Sequence, residues 1–140
     1  MDKIVVVDDD ADIRRIAELR LRIAGFSVLT AEDGEAGLAL IRAERPRVVL
    51  LDLMMPKMHG FAVCQAIRSD SSLQGTFIIV TSAKTYAADI KKVKELGADL
   101  YINKPYDLDA LVLTIQKALA DLFTEMAIRM RDEFKLPNAK

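Results

Sequence analysis

The strongest constraint on the fold of this chain is the regular alternation of short apolar runs with longer amphipathic stretches. Runs that are apolar on both faces are typical of strands in a parallel sheet that helices cover on both sides. A repeated β-α pattern favours a doubly wound α/β sheet with right-handed crossovers. The predicted strands are Ile4–Val7, Ser27–Ala31, Val48–Leu51, Phe77–Val80 and Leu100–Ile102.

The stretches between these runs carry apolar residues at helical spacing, which predicts one helix after each strand. In each helix the apolar stripe is expected to face the sheet. The stripes are Ile13, Ile16, Leu19 and Ile23 in the first helix, Leu38 and Ile41 with neighbouring alanines in the second, Val63, Ala66 and Ile67 in the third, and Ile90, Val93 and Leu96 in the fourth.

The predicted helix ends carry the residues that such ends favour. Gly25 and Gly97 follow the last turn of a helix, where a left-handed cap is expected. Asp33 and Asp107 stand at N-cap positions, and Pro46 ends the second helical region.

The fifth helix is predicted to be unusually long. Its core stripe of Leu108, Leu111, Val112, Ile115 and Leu119 continues through Leu122, Phe123, Met126, Met130 and Phe134. A helix over about residues 107–135 would be ~43 Å long, so its end should project from a compact domain. We therefore divide the chain into a domain at 1–120 and an extension at 121–140. The projecting apolar face predicts a homodimer, while a tail that folds back or frays stays an alternative.

Composition excludes several classes of function. The 140 residues suffice for a single α/β domain, and 20 basic against 21 acidic residues leave a net charge of −1. That balance predicts no direct nucleic-acid binding, and no apolar run approaches the length of a membrane span. No signal peptide is expected, because Ile4–Val7 is already strand-like and runs straight into three aspartates. A single cysteine, Cys64, fits a reducing cytoplasm, and we expect it to be a buried packing residue.

Chemically useful side chains follow four of the five predicted strands. Asp8 and Asp9 follow the first strand, Asp52 the third, Thr81 the fourth and Lys104 the fifth. Open α/β sheets bind ligands beyond the carboxyl ends of their strands, so these groups are expected to converge.

Together, these side chains could bind a divalent cation and accept a phosphoryl group. Crowded carboxylates repel one another unless a cation neutralises them, and Mg²⁺ or Mn²⁺ suits a site of oxygen ligands. A carboxylate can attack phosphorus to form an aspartyl phosphate. An ammonium group and a hydroxyl can then bind the phosphoryl oxygens.

Taken singly, each of these residues has a simpler explanation. A strand-end aspartate is usually a helix cap, and we assign Asp10 and Asp12 to the cap and the surface of the first helix. Thr81 alone fits a strand, Lys104 alone fits a solvated lysine, and His59 is expected at the surface. The simple explanations do not account for suitable groups at four separate strand ends.

Four motifs in order resemble the receiver domains of response regulators, the family to which chemotaxis response regulators belong. They are IVVVDDD, VVLLDLMMPKMHG, IIVTSA and LYINKPY, and the resemblance covers residues 1 to about 120. It implies a flavodoxin-like five-stranded parallel sheet of order 2-1-3-4-5 with helices on both faces.

The resemblance also implies a role for each site residue. Asp52 would be the phosphoacceptor, and Asp9 and Asp52 would ligate the metal directly. Asp8 would act mainly through water, and Met54 would contribute its backbone carbonyl. The remaining implied roles are phosphoryl binding and switching for Thr81, Lys104 and Tyr101, and a cis peptide bond at Pro105.

By the same resemblance, the chain would be a phosphorylation-activated receiver of a two-component phosphorelay. A histidine kinase or phosphotransfer protein would supply the phosphoryl group, and the surface of helix four, strand five and helix five would switch. The chain would hydrolyse its phosphoryl group slowly and would not be a turnover enzyme. Apolar Met54 and Ala83 offer no polar group to orient the attacking water.

Three other functions fit less well. A dinucleotide-dependent oxidoreductase needs a glycine-rich turn after the first strand, where this chain has Asp8, Asp9 and Asp10. A phosphatase resembling the haloacid dehalogenases needs a second acid two residues after the nucleophile, where Met54 stands. A degenerate receiver would normally have lost Asp52, Thr81 or Lys104.

Overall fold

The computed structural model describes residues 2–83 and 86–133, and for residues 123, 124 and 126–133 it describes the backbone alone. Five parallel strands form one sheet of order β2-β1-β3-β4-β5. This order and all five predicted strands are confirmed. The strands are β1 at Lys3–Val7, β2 at Ser27–Ala31, β3 at Val48–Asp52, β4 at Phe77–Ser82 and β5 at Leu100–Asn103.

A helix follows each strand, as the periodicity predicts, and a short 3₁₀ helix at Ser71–Leu73 precedes β4. The helices are α1 at Ala11–Ile23, α2 at Gly34–Glu44, α3 at Gly60–Ser69, α4 at Ala87–Glu95 and α5 at Leu108–Glu133. The α1 and α5 helices cover one face of the sheet, and α2, α3 and α4 cover the other. The sheet is therefore buried on both sides, which explains its continuous apolar strands.

The predicted helix ends are confirmed by their geometry. Asp10 accepts hydrogen bonds from the first turn of α1, and Asp33 accepts one from Ala36 N at the start of α2. Asp107 caps α5 in the same way. Gly25 and Gly97 have φ values of 100° and 96°, which a side chain would disfavour.

The prediction for the buried face of α1 is wrong. Ile16, Leu19 and Ile23 are 53%, 60% and 69% exposed, whereas Ala17 and Leu21 are fully buried. Both sets recur at helical spacing, so periodicity leaves the rotation of the helix open. Small Ala17 and Leu21 lie in the core against the sheet, and the larger apolar residues Ile16, Leu19 and Ile23 face outward.

The long fifth helix is present. It has 26 residues and is therefore about 39 Å long. Leu119 is 9% exposed and packs in the core between α1, α5 and the sheet, so it is not available to a dimer interface. The side chains of Phe123, Met126 and Met130, and the whole of Phe134, lie outside the described residues. None of the described helices has the length and apolarity of a membrane span.

Candidate functional site

The parallel register brings the predicted site residues to one edge of the sheet. Asp52, the last residue of β3, pairs with Thr81 of β4. Asp8 directly follows β1, and its amide donates to Ala31 O at the end of β2. Lys104 directly follows β5, and its amide donates to Ser82 O. Every strand end that carries a candidate residue therefore faces the same pocket.

Three carboxylates lie together in this pocket. Ligand oxygens of Asp8, Asp9 and Asp52 all lie within 4.8 Å of one another. Asp8 and Asp52 are 2% and 5% exposed, and Asp9 is open to solvent. Oxygen donors with one open side suit a hard divalent cation that keeps some of its water ligands, so the residues present fit Mg²⁺.

Lys104 lies against the carboxylates. Its Nζ is 2.7 Å from Asp8 Oδ2 and 3.4 Å from Asp52 Oδ2, and its side chain is only 11% exposed. Burial by itself would lower the pKa of Lys104. The hydrogen bond with Asp8 and the charges of Asp52 and Asp8 outweigh that effect, so the pKa of Lys104 lies above its ordinary value.

Asp52 is the carboxyl group that this pocket perturbs most clearly among the described residues. Burial, followed by the charge of Asp8, raises its pKa to about 7, and Lys104 opposes the shift only in part. In the metal-free protein the pocket therefore favours a proton on Asp52. A bound cation would remove the repulsion that favours this proton.

The backbone around Asp8 is supported by a residue that the sequence analysis missed. Arg14 Nη1 donates to Asp8 O at 2.7 Å from the first turns of α1. Asp8 Oδ1 in turn accepts the Asp10 amide at 2.9 Å. The sequence signal for Arg14 is weak, because a basic residue on an exposed helix is common. The contact also depends on the direction of α1 relative to the end of β1, which the sequence does not give.

Residues 53–59, here called the acceptor loop, connect Asp52 to α3. The Leu53 amide donates to Thr81 O at 2.8 Å, and the Gly60 amide donates to Leu53 O at 2.9 Å. A Cβ at Gly60 would lie 2.9 Å from the backbone oxygen of Asp52, so a side chain there would shift the backbone that carries Asp52. Met54 lies in this loop with its side chain 50% exposed.

The two predicted switch residues lie on neighbouring strands. Thr81 is 1% exposed at the end of β4, beside Asp52. Tyr101 lies on β5 opposite Val80 and packs partly buried against the core on the α2–α3–α4 side. The Lys104–Pro105 peptide bond, which follows β5, is cis.

A second aromatic residue at this edge was not predicted. Tyr106 lines a cavity of 180 Å³ together with Ile13, Ile16, Lys104, Pro105 and Leu108. Burial, with the charges of Asp8 and Asp52, raises the pKa of Tyr106 to about 12. The phenol therefore stays neutral beside the acidic pocket. The sequence signal that could have identified Tyr106 is its position directly after Lys104 and Pro105.

Comparison with known proteins agrees with this geometry. Residues 4–116 match the family model of the response regulator receiver domain. The chain is 45% identical over 118 residues to a probable transcriptional regulator, ycf27, of Porphyridium aerugineum, covering 84% of this chain and 48% of that protein. It is 37% identical over 122 residues to protein PilG of Pseudomonas aeruginosa, covering 87% and 90%. The chain thus spans about half the length of the ycf27 relatives.

Solved structures show the same fold. The chemotaxis response regulator CheY4 of Vibrio cholerae superposes with a TM-score of 0.78 at 33% identity, covering 84% of this chain and 98% of that one. A CheY-like receiver domain protein from Methanospirillum hungatei superposes with a TM-score of 0.84 at 26% identity, covering 89% and 98%.

Proposed function

This chain belongs to the response regulator receiver family, and we propose that it accepts a phosphoryl group on Asp52 in a two-component phosphorelay. One observation carries the proposal. Ligand oxygens of Asp8, Asp9 and Asp52 lie within 4.8 Å of one another, and the Lys104 ammonium lies 3.4 Å from Asp52 Oδ2. The pocket thus pairs a nucleophile with places for a divalent cation and for phosphoryl oxygens.

The proposed reaction is a transfer from phosphohistidine. An Asp52 carboxylate oxygen attacks phosphorus, the new P–O bond forms as the P–N bond breaks, and the imidazole leaves with the bond electrons and takes a proton from water. Asp8, Asp9, Asp52 and the Met54 carbonyl would hold Mg²⁺, which when bound neutralises charge on the carboxylates and phosphoryl oxygens. Lys104 would pair with another phosphoryl oxygen.

We propose that phosphorylation of Asp52 changes the conformation of the α4–β5–α5 surface. The Thr81 hydroxyl, beside Asp52 in the register, would donate to a phosphoryl oxygen and move toward it. Tyr101 on the adjacent strand would turn into the space that Thr81 leaves. Because Tyr101 packs on the α4 side of the sheet, this rotation would bias the α4–β5–α5 surface toward a second state.

The donor is proposed to be a histidine kinase or phosphotransfer protein that binds beside the pocket. Ile16 is 53% exposed and shares a cavity with Lys104 and Pro105. Leu19 and Ile23 extend this exposed apolar face along α1. Replacing Ile16 and Ile23 by lysine should slow transfer from a cognate donor protein and leave phosphorylation by acetyl phosphate unchanged. Equal slowing with both donors would contradict docking at α1.

The chain is proposed to act in the cytoplasm as a switch that resets by slow self-hydrolysis, not as a turnover enzyme. Its cysteine, Cys64, is fully buried, and burial raises the pKa of its thiol to about 12, which keeps it unreactive.

The experiment that tests this function is intact mass spectrometry after treatment with acetyl phosphate and Mg²⁺. Wild type should gain one phosphoryl group, and Asp52→Asn should gain none while keeping its fold. Asp10→Asn is the matched control, since Asp10 caps α1 near the pocket without belonging to the carboxylate cluster. An adduct that persists on Asp52→Asn would show that the acceptor is another residue.

A further inference from the structure

The start of α2 packs directly against the acceptor loop, although α2 contributes no residue to the carboxylate cluster. Asp33, the N-cap of α2, contacts Lys57 of the loop. Gly34, the first residue of α2, lies against Met58 of the loop. Three features at this contact indicate that it holds the loop in place.

The first feature is an ion pair. Lys57 Nζ lies 3.6 Å from Asp33 Oδ2, and the Asp33 side chain is only 9% exposed. Asp33 Oδ1 accepts the Ala36 amide at 2.8 Å, so one carboxylate both caps α2 and faces the loop lysine. The Ala36 hydrogen bond and the Lys57 charge keep the pKa of Asp33 below its ordinary value, which maintains the negative charge.

The second feature is the backbone of Lys57. Its φ is 68°, in the left-handed region that favours glycine. A lysine adopts this conformation only where surrounding contacts compensate for its cost. The neighbouring Met58 amide donates to Pro56 O at 2.8 Å and closes a tight turn around this lysine.

The third feature is the absence of a side chain at Gly34. A Cβ there would overlap the carbonyl oxygen of Met58 and lie 2.8 Å from Met58 Cβ. The first turn of α2 can therefore approach the loop backbone only because this residue is glycine.

From these contacts we infer that Asp33 is a positioning residue for the cation site, acting through Lys57 on the acceptor loop. The ends of the loop are held by the Leu53 and Gly60 hydrogen bonds, and its middle is held against α2. Met54, whose carbonyl is the proposed metal ligand, lies between these supports. The inference rests on the proposed function, because it concerns the same metal site.

The test compares Mg²⁺ affinities, measured from backbone amide chemical shifts of residues 53–60 in the full chain. Asp33→Asn keeps a good N-cap residue but loses the charge that faces Lys57. We expect it to weaken Mg²⁺ binding about twofold to fivefold. Lys57→Gln should have a similar effect, and the double variant should lose little more than either single one.

Asp70→Asn is the matched control. Asp70 also caps a helix by accepting an amide hydrogen bond, from Ser72, and it belongs to neither the pocket nor the loop. Its Mg²⁺ affinity should equal that of wild type. At saturating Mg²⁺, Asp33→Asn should recover the wild-type rate of phosphorylation by acetyl phosphate, since it would alter the loop and not the nucleophile.

A second measurement uses the metal-free protein. Hydrogen exchange at the Met58 and Gly60 amides should be faster in Asp33→Asn than in wild type or Asp70→Asn. Unchanged exchange together with unchanged Mg²⁺ affinity would overturn the positioning role, even if wild type binds Mg²⁺ and is phosphorylated. A wild type that neither binds Mg²⁺ nor gains a phosphoryl group would instead overturn the proposed function.

Discussion

Lys104 is closer to Asp8 than to Asp52: its Nζ lies 2.7 Å from Asp8 Oδ2 and 3.4 Å from Asp52 Oδ2. In the unphosphorylated protein the ammonium group therefore neutralises mainly the carboxylate beside the proposed acceptor. A phosphoryl group on Asp52 would compete with Asp8 for this lysine. The same ammonium group also repels any cation that enters the carboxylate cluster.

Replacing Lys104 by methionine should tighten Mg²⁺ binding severalfold. The substitution keeps a long side chain but removes the positive charge next to Asp8 and Asp52, so a divalent cation meets less repulsion. Titration of the metal-free variant and of wild type checks this expectation. Lys91→Met on the exposed surface of α4 is the control. Weaker binding in Lys104→Met would mean that the lysine organises the carboxylates more than it competes with the cation.

The stability of the metal-free protein should fall as the pH rises from about 4 to about 7. Asp52 has its pKa raised from 3.8 to about 7 in the folded protein, so over this range the folded state holds a proton that the unfolded state has lost. Urea unfolding in EDTA across this range measures the slope.

Asp52→Asn should flatten this pH slope, and Asp10→Asn should not. Mg²⁺ affinity should rise over the same range, because the cation displaces the Asp52 proton. Equal slopes in wild type and Asp52→Asn would show that Asp52 carries no raised pKa in the folded protein.

The phosphoryl group on Asp52 should be comparatively long-lived. Met54 and Ala83 follow the ends of β3 and β4 with exposed apolar side chains, and an apolar side chain cannot orient a water molecule toward phosphorus. The variant Met54→Asn, Ala83→Glu should lose its phosphoryl group faster than wild type, as followed by the decay of the phosphorylated mass after the donor is removed. Decay that is equal, or faster in wild type, would remove this explanation.

The extension of α5 should mediate self-association of the chain. The helix continues to Glu133, well past Leu119, the last of its described side chains that lies in the core. Apolar residues recur at three- and four-residue steps along it, each contributing roughly 1.5–3 kcal/mol if fully buried in a dimer. Sedimentation equilibrium should show dimers for the full chain and monomers for a chain ending at Ala120. Monomers of both at high micromolar concentration, with and without phosphorylation, would rule out this role for the extension.

The sequence by itself was enough to predict the sheet and the residues that meet at its edge. Parallel strands buried on both faces require short continuous apolar runs, so β1 to β5 were visible in the order of residues. Because the carboxyl ends of parallel strands share one edge, Asp8, Asp52, Thr81 and Lys104 could be placed together without coordinates. Helix caps such as Asp33 and Gly97 depend on their own backbone geometry and were also predictable.

The tertiary structure decided which face of α1 is buried, since a helical stripe of Ile16 and Ile23 and one of Ala17 and Leu21 satisfy the same periodicity. It also decided the contacts of Arg14 with Asp8 and of Asp33 with Lys57. Both contacts depend on how separate elements pack. No local sequence pattern encodes the distance between two such elements. The raised pKa of Asp52 has the same origin, because burial and the approach of Asp8 exist only once the strands are side by side.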